Sequence, residues 1–175
     1  MDKLTEYNSV RPYMRSGDLI EWGSASLFGG AIRLVTGKKV NHSSILLSLD
    51  KYEEFKDRRY VLEANRKVEL NILSYRIREF KGTVFWSPLK PKYDHLRGQI
   101  AKWALDREGK DYDYQSLLAN MFGKVSMDGK KFFCSEYYHM AMVAVGILPE
   151  GKAARPGEFE KFNIHGRIMQ IVYRS

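Results

Sequence analysis

One cysteine stands in this chain of 175 residues, in the run Phe132-Phe133-Cys134-Ser135-Glu136-Tyr137-Tyr138-His139-Met140. The residues that follow, through Val145, hold no proline and are strongly apolar, and Gly146 supplies a stop signal. That pattern predicts a buried helix with Cys134 at or near its first turn. A thiol there faces unpaired backbone N–H groups and the positive end of the helix dipole, and both favour thiolate. The competing reading is a small buried hydrophobe, a common fate of free cysteine. Cysteine acyl-transfer chemistry needs more than a thiolate. It needs a base to share the proton and a group to orient that base.

The chain has four histidines. His95 falls in the first turn of a predicted surface helix, and His165 in a polar loop before the last predicted strand. His139 follows Cys134 by five residues, about 140° round a helix, so it faces away from the thiol. His42 differs, because the next predicted strand carries Glu63 inside the apolar run Tyr60-Val61-Leu62-Glu63-Ala64. A carboxylate in a half-buried strand is costly unless paired or hydrogen-bonded. A histidine on the adjacent strand could be that partner.

The elements that must position these residues follow in order. Residues 1–15 read as an irregular lead-in broken by Pro12. Ser16 to Trp22 is a turn and a short alternating strand. Ser24 to Thr36 reads as a helix capped by Gly37, weakened by Gly29-Gly30. Val40 to Leu49 is a strand, Asp50 to Arg59 an exposed connection, and Tyr60 to Ala64 a strand antiparallel to the previous one. Val68, Leu70 and Ile72 alternate as a further strand. Leu73 to Phe80 is a short helix or loop, and Thr83 to Trp86 a strand stopped by Pro88 and Pro91. Asp94 is the expected N-cap of a helix reaching Glu108, with Leu96, Ile100, Trp103 and Ala104 inward. A turn at 109–114, an apolar helix at 115–122 and a turn at 127–130 lead to the cysteine helix. Pro149 to Phe162 reads as irregular, and Ile168 to Tyr173 as a closing strand. Strands first and helices later predict an α+β domain, with an antiparallel sheet of about five strands.

Composition bounds the rest. A hydrophobic fraction of 44% and an aromatic fraction of 13% belong to a globular chain. The length is most simply one domain, 1–175. A single cysteine excludes an internal disulfide and a cysteine-rich zinc site. No signal pattern opens the sequence, and no apolar run nears the ~20 residues of a membrane span. The expectation is a soluble cytoplasmic protein. The net charge of +8, from 29 Lys and Arg against 21 Asp and Glu, suits an anionic surface as partner. The basic residues are scattered pairs interleaved with acids, so a solvated face accounts for most of them, and no specific nucleic acid is expected.

The order Gly17-Asp18-Leu19-Ile20, Asn41-His42-Ser43, Leu62-Glu63-Ala64, Phe133-Cys134-Ser135-Glu136 resembles the permuted papain-like cysteine hydrolases of the NlpC superfamily, and within them the YiiX-like group. In the ordinary arrangement of that superfamily the cysteine helix comes first. Here it comes last, and the resemblance spans about residues 16–160. It implies a circularly permuted papain-like fold, with Cys134 as nucleophile, His42 as base and Glu63 as the orienting residue. It also implies a pocket role for Tyr112, with core packing the competing reading. The reaction implied is attack of thiolate on an amide, ester or thioester carbonyl, through an acyl-enzyme, with no cofactor and no metal. The backbone N–H of Cys134 would be one oxyanion donor. A peptide, amide or acyl-lipid is the expected substrate. An intracellular amidase or peptidase is the first reading, since no export signal or wall-binding module is visible. A lipid acyltransferase or lipase at a membrane surface is the second. A non-catalytic basic binding module, which leaves the three residues as coincidence, is the third.

Overall fold

The computed structural model describes residues 2–24, 40–50, 52–64, 67–109 and 133–173, with only the backbone of Phe133. The helices predicted at 24–36 and 115–122, the turns at 109–114 and 127–130, and Tyr112 lie outside the described residues, apart from Ser24, which ends a strand, and Gly109.

Among the described residues, six strands form one antiparallel sheet: β1 (Leu19–Ser24), β2 (His42–Ser48), β3 (Arg59–Ala64), β4 (Val68–Ile72), β5 (Gly82–Ser87) and β6 (Met169–Val172). Their spatial order is β4-β3-β2-β1-β5-β6. The sheet has six strands against the expected about five; each segment read as a strand from sequence pairs in it, the closing one beside β5. The α-helices among the described residues are α1 (Thr5–Val10), α2 (Leu73–Glu79), α3 (Arg97–Leu105) and α4 (Phe133–Ala144). The class is α+β.

Strands β1 to β3 read as near-continuous apolar runs because both faces of the sheet are covered. On one face Leu19, Ile45, Leu47, Leu62 and Ala64 pack with Ile100 and Ala104 of α3 and Tyr137, Met140 and Ala141 of α4. On the other, Ile20, Trp22, Leu46, Val61, Val84 and Trp86 pack with Leu4, Tyr7 and Met14 and with Leu73 and Ile77 of α2. The predicted irregular lead-in is therefore partly wrong. Leu4, Tyr7 and Val10 repeat at helical spacing, and the first two are buried, so the segment folds as α1 before Pro12 enters a 3-10 turn.

The Gly-Asp-Leu segment is an anchor. Asp18 is 1% exposed. Its carboxylate accepts from Trp86 Nε1 (2.8 Å), the Leu89 and Arg15 backbone N–H groups (3.0 Å each) and Arg97 Nη1 (2.7 Å). Arg97 extends the knot to the Ser16 and Leu89 carbonyls. A buried ion pair with this many partners ties β1, β5 and α3 together.

Asp94 does not cap α3. Its carboxylate is taken by Arg15 and Arg97, at 2.6 and 2.8 Å. The segment Pro91–Leu96 winds as a 3-10 helix, and the α-helix starts only at Arg97. Two guanidinium donors outcompete a backbone N–H for one carboxylate, since charge-assisted bonds are the stronger.

Candidate functional site

Helix α4 begins one residue before the thiol, which puts Cys134 in its first turn. The helix is buried along most of its length and stops at Gly146, whose φ of 75° suits glycine. Tyr137 and Tyr138 fix its position. Tyr137 donates to the Ala104 carbonyl of α3 at 2.8 Å, and Tyr138 to the Gly17 carbonyl beside β1 at 3.0 Å.

His42 is the first residue of β2, so its ring stands at the end of the sheet, where it meets Cys134. Its Nε2 lies 2.9 Å from Oε1 of Glu63 on β3. With Nε2 engaged by the carboxylate, Nδ1 is the nitrogen left for the sulfur. Strand alternation sets the Glu63 side chain on the face of Val61, the α2 side of the sheet. There Arg76 of α2 donates from Nε to Oε2 at 2.8 Å, and Asn71 of β4 reaches the same oxygen at 3.3 Å. Glu63 is 1% exposed, so every oxygen must be served from within the protein.

Electrostatics follow from these contacts. Burial disfavours the charged form of His42, but the charge and hydrogen bonds of Cys134 and Glu63 outweigh it, and its pKa is pushed up to about 10. Burial likewise opposes a charge on Cys134. The imidazolium, together with hydrogen bonds from the backbone N–H groups of Ser43 and Ser135, overcomes that and lowers the thiol pKa. Glu63 is desolvated too, yet His42 and Arg76 hold its carboxyl below the usual carboxylate range. The site brings together a thiol, an imidazole, a carboxylate and a guanidinium, and the shifts at Cys134, His42 and Glu63 each favour the charged form.

Of the residues singled out from sequence, Cys134, His42 and Glu63 come together. Tyr112 lies outside the described residues. The other histidines are elsewhere. His95 sits in the 3-10 segment before α3. His139 is buried on α4 with its ring edge-on to Phe162. His165 bonds Tyr138 through Nε2 at 2.8 Å, and burial, with Lys90 nearby, pushes its pKa down to about 4. A cavity of about 90 Å³ beside β1 is lined by Glu21, Ser87 and His165 among others, and by none of the three site residues.

Sequence reasoning missed Arg76 and Asn71. A signal for Arg76 was present: Leu73 and Ile77 form the buried stripe of α2, and Arg76 lies one turn from Leu73 on the same side. Glu136, two residues after the cysteine, is the other unanticipated group, with a pKa raised to about 7 by burial.

No family model matches the chain, and no curated protein matches it. Among solved structures, the chain is similar to metalloprotein YiiX from Escherichia coli O157:H7, DUF1105. The superposition has a TM-score of 0.56 at 22% identity and covers 77% of this chain and 67% of that one. The likeness is one of fold. Among the described residues of this chain, no group of three or more His, Cys, Asp or Glu could hold a metal ion.

Proposed function

We propose that this chain is a cysteine hydrolase of amidase or peptidase type, a permuted papain-like domain spanning 1–175. Cys134 is the nucleophile, His42 the base and Glu63 the residue that orients the imidazole. The observation that carries this reading is the continuous contact from the Cys134 thiol through the His42 ring to Glu63, with the thiol in the first turn of a buried helix. Support also comes from chain order, since the cysteine helix follows the strands of His42 and Glu63, and from the fold likeness to YiiX.

In the resting state the proton is on His42 and the sulfur is thiolate. Attack on the acyl carbonyl forms the S–C bond, and the carbonyl electrons move to oxygen. Backbone N–H groups at the start of α4, with that of Cys134 first among them, are suited to stabilise the oxyanion. As the intermediate collapses, His42 gives its proton to the leaving amine or alkoxide. Neutral His42 then takes a proton from water or another acceptor, which attacks the thioester and releases Cys134. Glu63 remains ionised throughout and supports each imidazolium stage.

The test is activity-based labelling with acyl-amide and acyl-lipid probes, read by mass spectrometry on the peptide carrying Cys134. Acyl-amide labelling that disappears in Cys134→Ser, with the melting temperature held, is the expected result. Labelling by acyl-lipid alone would move the reading to a lipid acyltransferase. Full turnover in Cys134→Ser would end it.

A further inference from the structure

Arg76 touches Glu63 but has no place in the proposed mechanism. Its side chain is only partly exposed, at 29%, and its Nε–H donates to Glu63 Oε2 at 2.8 Å. It also lies over two aromatic rings, 5.2 Å from the centre of Trp22 and 5.8 Å from that of Phe80. Trp22 and Phe80 themselves meet edge to face at 5.0 Å. Stacking of this kind fixes a planar guanidinium in orientation as well as in place. The carboxylate is thereby divided: Oε2 goes to Arg76 and Asn71, and Oε1 to His42.

Formal charge gives the reason for this arrangement. Thiolate, imidazolium and carboxylate carry one net negative charge between them, with Glu63 itself 1% exposed. The guanidinium brings that sum to zero. Without it, Glu63 is a desolvated carboxylate whose only cationic partner must also serve the thiolate. Such a carboxyl takes up a proton more readily, and a protonated Glu63 no longer supports the imidazolium. The groups that bear on Glu63 among the described residues are His42 from β2, Asn71 from β4 and Arg76 from α2. Glu69, opposite in register on β4, is exposed to solvent.

We propose that Arg76 is a positioning residue of the Cys134 site. By clamping Oε2 and balancing the charge of Glu63, it keeps Oε1 ionised and directed at His42 Nε2. This inference rests on the assignment of Cys134, His42 and Glu63 above. It adds a fourth residue that acts only through Glu63 and never touches the reacting atoms.

Because the chain holds a single cysteine, iodoacetamide alkylation of the intact protein reads Cys134 alone. The rate would be followed against pH in wild type, Arg76→Gln, Arg76→Lys, Glu63→Gln and the double variant Glu63→Gln/Arg76→Gln. The low-pH limb of the profile should move upward in Arg76→Gln, by on the order of one pH unit. Arg76→Lys, which keeps the charge but loses the planar fork, should restore part of that shift. In the Glu63→Gln background, removing Arg76 should change nothing further, since the group it acts through is already neutral. A buried arginine with a merely structural role would lower the melting temperature and leave the profile in place.

An unchanged profile in Arg76→Gln, or a double variant shifted well beyond Glu63→Gln alone, overturns the proposal. If Arg76→Gln leaves Glu63 too poorly compensated to fold, Arg76→Lys and the double variant carry the test, as neither leaves a bare buried charge. In that case an unshifted Arg76→Lys overturns it. A wild-type thiol that titrates like free cysteine overturns the hydrolase reading and this inference together. An activated wild-type thiol with insensitive Arg76 variants overturns this inference alone.

Discussion

His42 is mostly covered and His165 is buried, and their partners push their pKa values in opposite directions. His42 has Glu63 on Nε2 and the Cys134 thiol within hydrogen-bonding reach, and its pKa rises to about 10. His165 has a neutral tyrosine hydroxyl on Nε2 and the lysine charge of Lys90 nearby, and its pKa falls to about 4. Burial pushes in the same direction at both positions. What separates them is the count of anions within reach: two at His42, and none among the described groups that shift His165. A buried histidine is thus a proton reservoir where acids surround it and a neutral hydrogen-bonding wedge where they do not.

The sharpest way to break this comparison is at His42. Replacing it with alanine removes the cation that holds the Cys134 thiolate, so the thiol pKa should return to or exceed the ~8.5 of free cysteine. Alkylation at about pH 5.5 should then slow by ~100-fold or more, because the thiolate fraction collapses. Turnover of any labelling substrate should be lost. A His165→Gln variant should leave both intact. Equal loss from the two substitutions, measured by stopped-time alkylation and mass spectrometry, would mean that the distinction is false.

Next in size is Glu63→Gln, which keeps volume and an acceptor oxygen while removing charge. Loss of orientation alone should reduce turnover by roughly 10- to 100-fold; loss of imidazolium support as well should take it toward the ~10⁴-fold known when a triad carboxylate is neutralised. The thiol should remain alkylatable at neutral pH. The measurement is kcat on the probe substrate, set against the alkylation profile.

A smaller effect sharpens the other half of the pair. His165 has a folded pKa below its unfolded value, so the folded state is penalised once the unfolded histidine begins to bind a proton. Stability tied to neutral His165 is complete above ~pH 6.5 and is lost as pH falls to about 4. Urea midpoints should therefore drop more steeply in wild type than in His165→Gln across that interval, by on the order of 2–3 kcal/mol at its lower end. Parallel pH curves for the two proteins would contradict a neutral His165.

The smallest effect expected is that of Tyr138→Phe. The hydroxyl donates to the Gly17 carbonyl and contacts His165, so its removal should cost about 1–2 kcal/mol in a thermal or urea melt. The Cys134 alkylation profile should stay unchanged. A shifted profile would mean that α4 moves when its tyrosine anchor is cut.

The legible parts of this molecule are those in which a local pattern matched its tertiary setting. An apolar run marked β3 and alternation marked β4, and Glu63 stood out as a carboxylate in that run that required a partner. The helix behind Cys134 was visible from its apolar length and Gly146. The illegible parts depended on distant partners. Asp94 has the residue type of an N-cap, yet Arg15 lies far away in sequence and claims its carboxylate. Arg76 was one of several basic residues on a short helix until the fold set it against Glu63 and Trp22. The role of Asp18 as a buried anchor likewise needed Arg97 and Trp86, which no spacing rule ties to it.

In the proposed function Cys134 rests as a thiolate beside an imidazolium. The most direct test of this is the rate of iodoacetamide alkylation of the wild-type protein against pH, with quantitation of the one modified cysteine. The account predicts a rate that stays high into mildly acidic solution and falls only below the range in which free cysteine is already protonated. A single titration centred near ~8.5, as for an unperturbed thiol, would contradict it.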